Sequence, residues 1–268
     1  MSTAGKSGKY SDLKLRIASA IALAVIGALA VFQGQPSVAI LASVIVVLMI
    51  HEYREMVAGS VSPRDPGFWV MGVAVVLAVF LASFHSVIFS VITIGAGVLA
   101  LFVVDRKHFL WMAFGLVYLG LASTMFTSLR NWPSEGVWAV VWIASVVIAA
   151  DVGGYFAGRT FGGPKLWPAV SPKKTWSGII GGWVLAFVVG AIFHQSGTLL
   201  TIPYIVPLSV VLAVASQAGD LLESAAKRHF GIKDSSALIP GHGGLLDRFD
   251  GQLAAFVLFA LLTLAGLI

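Results

Sequence analysis

Asp220, Glu223, Lys227, Arg228, Lys233, Asp234, His242, Asp247, Arg248 and Asp250 crowd into residues 216–251, directly after the apolar run 205–215. Charged residues make up only 11% of the chain, and a polar cluster abutting membrane-like sequence marks a functional site. Asp220 is followed by Glu223, Ser224 and Lys227 at three, four and seven positions, so one helix face carries two acids, a hydroxyl and an amine. An ionised carboxylate costs roughly 2.5–3.5 kcal/mol at the bilayer centre and less near its edge. A divalent cation would offset that cost. Hard oxygen ligands suit magnesium, with Asp151 and Asp247 as further carboxylates able to reach the same level. The plainer account pairs Asp220 and Glu223 with Lys227 and Arg228 at a cytoplasmic helix end, and burial argues against it more strongly for Asp220 than for Glu223.

Two glycine-bearing stretches add phosphate-binding chemistry. In Pro240-Gly241-His242-Gly243-Gly244, glycines permit positive φ and let successive N–H groups converge on an anion, to which His242 could also donate. A turn that needs glycine for steric reasons alone accounts for the same residues. Asp250 precedes Gly251 and an apolar run, as a helix cap would, whereas Asp247 stands where a loop rejoins the membrane, as a metal ligand would. Further upstream, Asp151, Tyr155 and Arg159 recur every four positions and share a helix face. Ser171, Lys173, Lys174 and Thr175 directly precede another helix, and cations, hydroxyls and a helix amino terminus together suit a polyphosphate. The competing account is a basic juxtamembrane loop drawn to anionic lipid. Gly154 and Gly158, like Gly178 and Gly182, have GxxxG spacing suited to close helix packing, within one chain or between two copies in a homodimer.

The elements that must position these groups are membrane helices. The 268-residue chain is 58% hydrophobic with a mean hydropathy of +0.94, far above what a solvated surface tolerates. Long continuous apolar segments select an all-α, polytopic transmembrane bundle over a barrel. About nine spans are expected, near 17–32, 38–50, 68–84, 87–104, 109–129, 137–156, 179–193, 205–222 and 253–268. The first could instead be a cleaved signal, since Ala28-Leu29-Ala30 resembles a cleavage site, but its length and the spans that follow favour a retained helix. With the amino terminus in the cytoplasm, only Arg130 of the 17 lysines and arginines falls on the far side. That asymmetry sets the orientation and speaks against nucleic acid as the partner of the net charge of +5. The absence of cysteine excludes disulfides and thiolate metal sites. Spans before residue 137 carry scarcely any ionisable groups, so 1–136 reads as transmembrane scaffold and 137–268 as the catalytic region of one integral membrane unit.

A carboxylate cluster at the membrane edge, flanked by two phosphate-binding loops, points to phosphoryl or nucleotidyl transfer on a lipid phosphate at the cytosolic interface. Ser224, Lys227-Arg228, Lys233-Asp234, Ile239-Pro240, His242-Gly243-Gly244-Leu245 and Asp247-Arg248-Phe249-Asp250 resemble, in order and spacing, the carboxy-terminal signature of phosphatidate cytidylyltransferases, also called CDP-diacylglycerol synthases. Ser171 through Trp176 and the stretch 151–162 resemble that family's second shared region, with Asp151-Val-Gly-Gly-Tyr in place of the commoner Asp-Thr-Gly-Ala-Tyr and Ala226 in place of a larger apolar residue. The resemblance implies magnesium-dependent condensation of CTP with phosphatidate to CDP-diacylglycerol and pyrophosphate at the inner membrane. It implies Asp220 and Asp247 as metal ligands assisted by Asp151. It also implies Lys227, Arg248 and His242 at the reacting phosphates, with Arg159, Ser171, Lys173, Lys174, Thr175, Ser224, Arg228, Gly243 and Gly244 binding substrate. Two rival classes are a transporter with an acidic cation site and a transferase that consumes CDP-diacylglycerol and releases CMP.

Overall fold

The computed structural model describes residues 19, 21–84, 86–199, 202, 204–236, 238 and 243–268. Pro240, Gly241 and His242 lie outside the described residues, as do Lys6, Lys9, Lys14 and Arg16. The described chain is nearly all helical: α1 (Ile21–Gln33), α2 (Ser37–Ala58), α3 (Pro66–Phe84), α4 (Val87–Val104), α5 (Phe109–Arg130), α6 (Gly136–Phe161), α7 (Trp176–Ser196), α8 (Ile205–His229) and α9 (Leu246–Leu264). Seven of these, α2 to α8, are long and apolar enough to cross a membrane, and the protein is an integral membrane protein. The described part of α1 is shorter, and α9 carries Asp247, Arg248 and Asp250 in its first turns.

The all-α expectation fails at one place. Strands β1 (Lys165–Trp167) and β2 (Ser171–Thr175) form an antiparallel hairpin with Lys165 opposite Thr175 and Trp167 opposite Ser171. Gly162, with φ +59, and Gly163, with φ +100, end α6. Pro164 cannot continue α6, and Pro172 holds Ser171 extended. The Val170 amide closes the turn on the Trp167 carbonyl at 3.1 Å.

Helices also run past their apolar stretches. Apolarity ends at residue 50, yet α2 continues to Ala58, where Gly59 at φ +81 donates its amide to Glu55. Likewise α6 reaches Phe161, α8 reaches His229 and α9 begins at Leu246, seven residues before the expected Leu253. Hydropathy reports the length in lipid, whereas backbone hydrogen bonding continues until a cap stops it. These overhangs bear the polar side chains.

α6, α7 and α8 pack on one another, and α5 packs on α2, α3, α4 and α9. One cluster of buried side chains runs through both halves of the chain, with Trp142 and Phe259 among its largest fully buried members. At the polar end, Arg54, 4% exposed, joins three elements: it holds Asp65 through two nitrogens at 2.9 and 2.6 Å and Asp105 at 2.9 Å. Burial alone would raise the Asp105 carboxyl, but the hydrogen bond and charge of Arg54, with donation from His108, hold it below its ordinary value. At the other end, Arg130 donates to the Val31 and Phe32 carbonyls, and the Asn131 amide to Ser83 at 2.6 Å.

Candidate active site

Asp151, Tyr155 and Arg159 lie on the last turns of α6, on one face as their spacing requires. They form one wall of a cleft of about 510 Å3. Lys173 and Lys174 on β2 form a second wall, and Asp220 on α8 a third. Lys174 Nζ is 2.6 Å from Asp220 Oδ2, with the two side chains 22% and 35% exposed. The same amine is 3.4 Å from the Gln217 carbonyl. Ser224 donates to Asp220 Oδ1 at 3.3 Å, one helical turn on. Arg159 Nη1 donates to the Tyr155 hydroxyl at 2.7 Å, which turns both groups along the cleft wall.

The floor depends on glycine. A Cβ on Gly178 would stand 2.8 Å from the Gly154 carbonyl oxygen, and one on Gly182 would stand 2.7 Å from that of Ala150. These contacts bring α6 and α7 together within the chain, the packing use expected of both GxxxG pairs. Thr175 is the amino-terminal cap of α7, its hydroxyl accepting from the Gly178 amide at 3.2 Å. Ser171 begins β2. The basic pair therefore stands on a strand that runs directly into a capped helix.

A second polar group lies where α8 and α9 meet. Lys227 Nζ is 2.6 Å from Asp247 Oδ1 and 3.2 Å from Glu223 Oε1. Asp247 Oδ2 accepts from the Gly244 amide at 2.9 Å, the Ser235 amide at 3.0 Å and the Ser235 hydroxyl at 2.9 Å. Gly243 has φ +83, as expected of a glycine-dependent turn, and in this structure the anion served by Gly244 is the Asp247 carboxylate. Asp247 thus lies within the first turn of α9 and binds amides that precede the helix, so neither it nor Asp250, expected as the cap, caps α9. Asp250 lies a turn further in, close enough to Asp220, Asp151 and Glu223 for their charges to interact. Arg228 is exposed, 3.5 Å from the Ile232 carbonyl, and Arg248 is exposed on the first turn of α9.

Asp151 and Asp220 are therefore brought together with Lys173, Lys174 and Arg159, while Asp247 and Lys227 form a neighbouring pair outside that cleft. Among the described residues no three Asp, Glu or His side chains form a ready cage for a metal ion. Magnesium does not require one, since it commonly binds through one or two carboxylates and the phosphates of its substrate. Asp220 and Asp151, within reach of each other's charge, fit that pattern. A cleft lined by both cations and carboxylates suits a metal-bound polyphosphate.

The sequence profile of the cytidylyltransferase family matches residues 14–265. The chain belongs to that family. A phosphatidate cytidylyltransferase of Brucella suis biovar 1 (strain 1330) is 37% identical to it over 256 residues, covering 94% of this chain and 93% of the relative. Similarity also extends to phosphatidate cytidylyltransferases of Bacillus subtilis (strain 168), 43% identical over 154 residues (57% of this chain, 56% of the relative), and of Haemophilus influenzae (strain ATCC 51907 / DSM 11121 / KW20 / Rd), 47% identical over 133 residues (48% and 46%).

Several polar residues of this cytidylyltransferase's site were not singled out by sequence. Gln217 lines the cleft, fixed by Trp183 Nε1 at 2.9 Å and its own donation to the Ile179 carbonyl at 3.3 Å. Ser235 touches Asp247 as above, and Glu52 reaches the same segment from α2. The signal for Glu52 was present: His51-Glu52-Tyr53-Arg54-Glu55 follows an apolar run directly, the same density that marks residues 216–251.

Proposed function

We propose that this cytidylyltransferase condenses CTP with phosphatidate, giving CDP-diacylglycerol and pyrophosphate for phospholipid synthesis. The observation that carries this reading is the cleft that Lys173, Lys174 and Arg159 line together with Asp220 and Asp151. An oxygen of the phosphatidate phosphate attacks the α-phosphorus of CTP. A new P–O–P bond forms, the bond to the β-phosphate breaks, and pyrophosphate leaves with the electron pair. Such a transfer needs positioning and charge neutralisation more than covalent help from the protein.

Lys173, Lys174 and Arg159 bind the triphosphate. Asp220 and Asp151 hold magnesium, which when bound screens the mutual repulsion of the two phosphate substrates and withdraws charge from the reacting phosphorus. Lys227, fixed by Asp247, places a further positive charge beside them, with Arg228 and Arg248 at the rim for the anionic lipid.

The chain crosses the inner membrane about nine times, with its amino terminus and active site facing the cytosol. Support comes from the clustering of Arg54, Lys174, Lys227 and their partners at one end of the bundle, together with the basic-residue asymmetry. A homodimer, if formed, uses faces other than Gly154, Gly158, Gly178 and Gly182, which are taken up between α6 and α7.

The test is incubation of the purified protein in detergent with labelled CTP, phosphatidate and magnesium, omitting each in turn. Labelled CDP-diacylglycerol and pyrophosphate are expected only from the complete mixture. CMP as the product, or ion flux in liposomes without nucleotide consumption, would point to the rival classes.

A further inference from the structure

Glu52 is 1% exposed, and a carboxylate so buried is tolerated only when donors surround it. Here Oε1 accepts from the Ser236 hydroxyl at 2.5 Å and the Leu245 amide at 2.9 Å. Oε2 accepts from the Leu246 amide at 2.9 Å and lies 3.5 Å from the Ser235 hydroxyl. The two amides stand at the start of α9, where N–H groups lack helical partners and negative charge is favoured. Glu52 belongs to α2, some 190 residues away in sequence, in the half of the chain to which no signature extends.

We propose that Glu52 is a positioning residue for the transfer reaction, holding the start of α9 and Ser235 so that Asp247 can aim Lys227 at the reacting phosphates. This rests on the cytidylyltransferase reading. Ser235 connects the two carboxylates, its hydroxyl 2.9 Å from Asp247 Oδ2 and 3.5 Å from Glu52 Oε2. Asp247 Oδ2 is occupied by the Ser235 and Gly244 donors, which leaves Oδ1 to fix Lys227 at 2.6 Å.

Two further observations support a built arrangement. A Cβ on Gly244 would fall 1.9 Å from the Ser235 hydroxyl and 2.8 Å from Glu52 Oε1, so glycine is required there for the segment to close on Glu52. The end of α2 is itself anchored, by the Tyr53 hydroxyl donating to the Trp111 carbonyl at 2.7 Å and by Arg54 on Asp65 and Asp105. Glu52 therefore transmits a fixed reference point to Ser235, Ser236 and the start of α9, the usual work of a group that orients functional side chains without touching substrate.

The experiment compares full-length wild type, Glu52→Gln and Ser236→Ala in detergent. It measures pyrophosphate release, melting temperature, and hydrogen exchange at Leu245 and Leu246. Glu52→Gln keeps the shape but loses the charge and one acceptor. It is expected to lower kcat by about 10–100-fold, to leave KM for CTP within about threefold because the binding cleft is untouched, and to speed exchange at the two amides. A kcat within about twofold of wild type would overturn the proposal, as would a loss fully explained by a smaller folded fraction. If Glu52→Gln does not fold, Ser236→Ala removes one of the same contacts and is expected to lower kcat several-fold at an unchanged melting temperature, and an unchanged kcat there would overturn it equally. Absence of pyrophosphate release by wild type would instead overturn the activity, while exchange at Leu245 and Leu246 would still show whether Glu52 holds the segment.

Discussion

Lys174 illustrates how a surface-like ion pair can matter for chemistry more than for folding. Its 2.6 Å contact with Asp220 is partly exposed, and pairs of that kind contribute only about 0.2–1 kcal/mol. What the contact does is hold an amine inside the cleft, where it can meet a phosphate. Lys174→Met is therefore expected to raise KM for CTP at least about tenfold while shifting stability by no more than about 1 kcal/mol, measured by pyrophosphate release and thermal melting in detergent. An unchanged KM would remove Lys174 from the substrate site. Asp151, Arg159 and Asp220 could be picked out because they stand on helices of known period, and Lys173 and Lys174 because two cations directly precede the start of another helix. The roles of Asp247 and Asp250 could not. Both precede the same apolar run, but α9 begins at Leu246, seven residues before hydropathy rises, so both lie within the helix and neither is its cap.

At the scale of elements, the cleft exists because α6 and α7 approach closely enough for backbone to touch backbone. Gly178→Ala would place a methyl 2.8 Å from the Gly154 carbonyl oxygen and 3.2 Å from the Thr175 hydroxyl, and neither neighbour is the free end of a flexible side chain. A loss of about 1–3 kcal/mol is expected, read as a lower melting temperature together with a raised KM for CTP, since the cap on Thr175 shifts too. Gly72→Ala, where a Cβ meets nothing within 4 Å, is expected to be neutral or to stabilise by up to about 1 kcal/mol. Equal melting temperatures for the two variants would contradict this account of the packing. The GxxxG spacings announced the α6–α7 contact in the sequence. The β1–β2 hairpin was not announced, because two short strands bounded by prolines have too few residues to display a two-residue period.

Across the whole molecule, apolar length and polar chemistry are separated along the helix axes. Hydropathy located the membrane helices, since burial in lipid acts on every residue of a span, but it said nothing about the turns beyond, where α2, α6, α8 and α9 carry Glu52, Arg159, Lys227 and Asp247. The expectation that 1–136 is scaffold therefore omits a contribution. The end of α2 reaches the start of α9, and one core spans both halves. Contacts between residues nearly 200 positions apart leave no local pattern from which to read them.

The central claim is that carboxylates at the membrane edge hold the cation that manages two anionic substrates, and Asp220 carries most of it. Its most direct test is a magnesium titration of pyrophosphate release from CTP and phosphatidate by wild-type and Asp220→Asn protein, each verified as folded. Wild type should saturate with magnesium, and Asp220→Asn should lose at least about a hundredfold in kcat at any magnesium concentration or require far more of it. An Asp220→Asn protein with the wild-type rate and the wild-type magnesium midpoint would contradict the account.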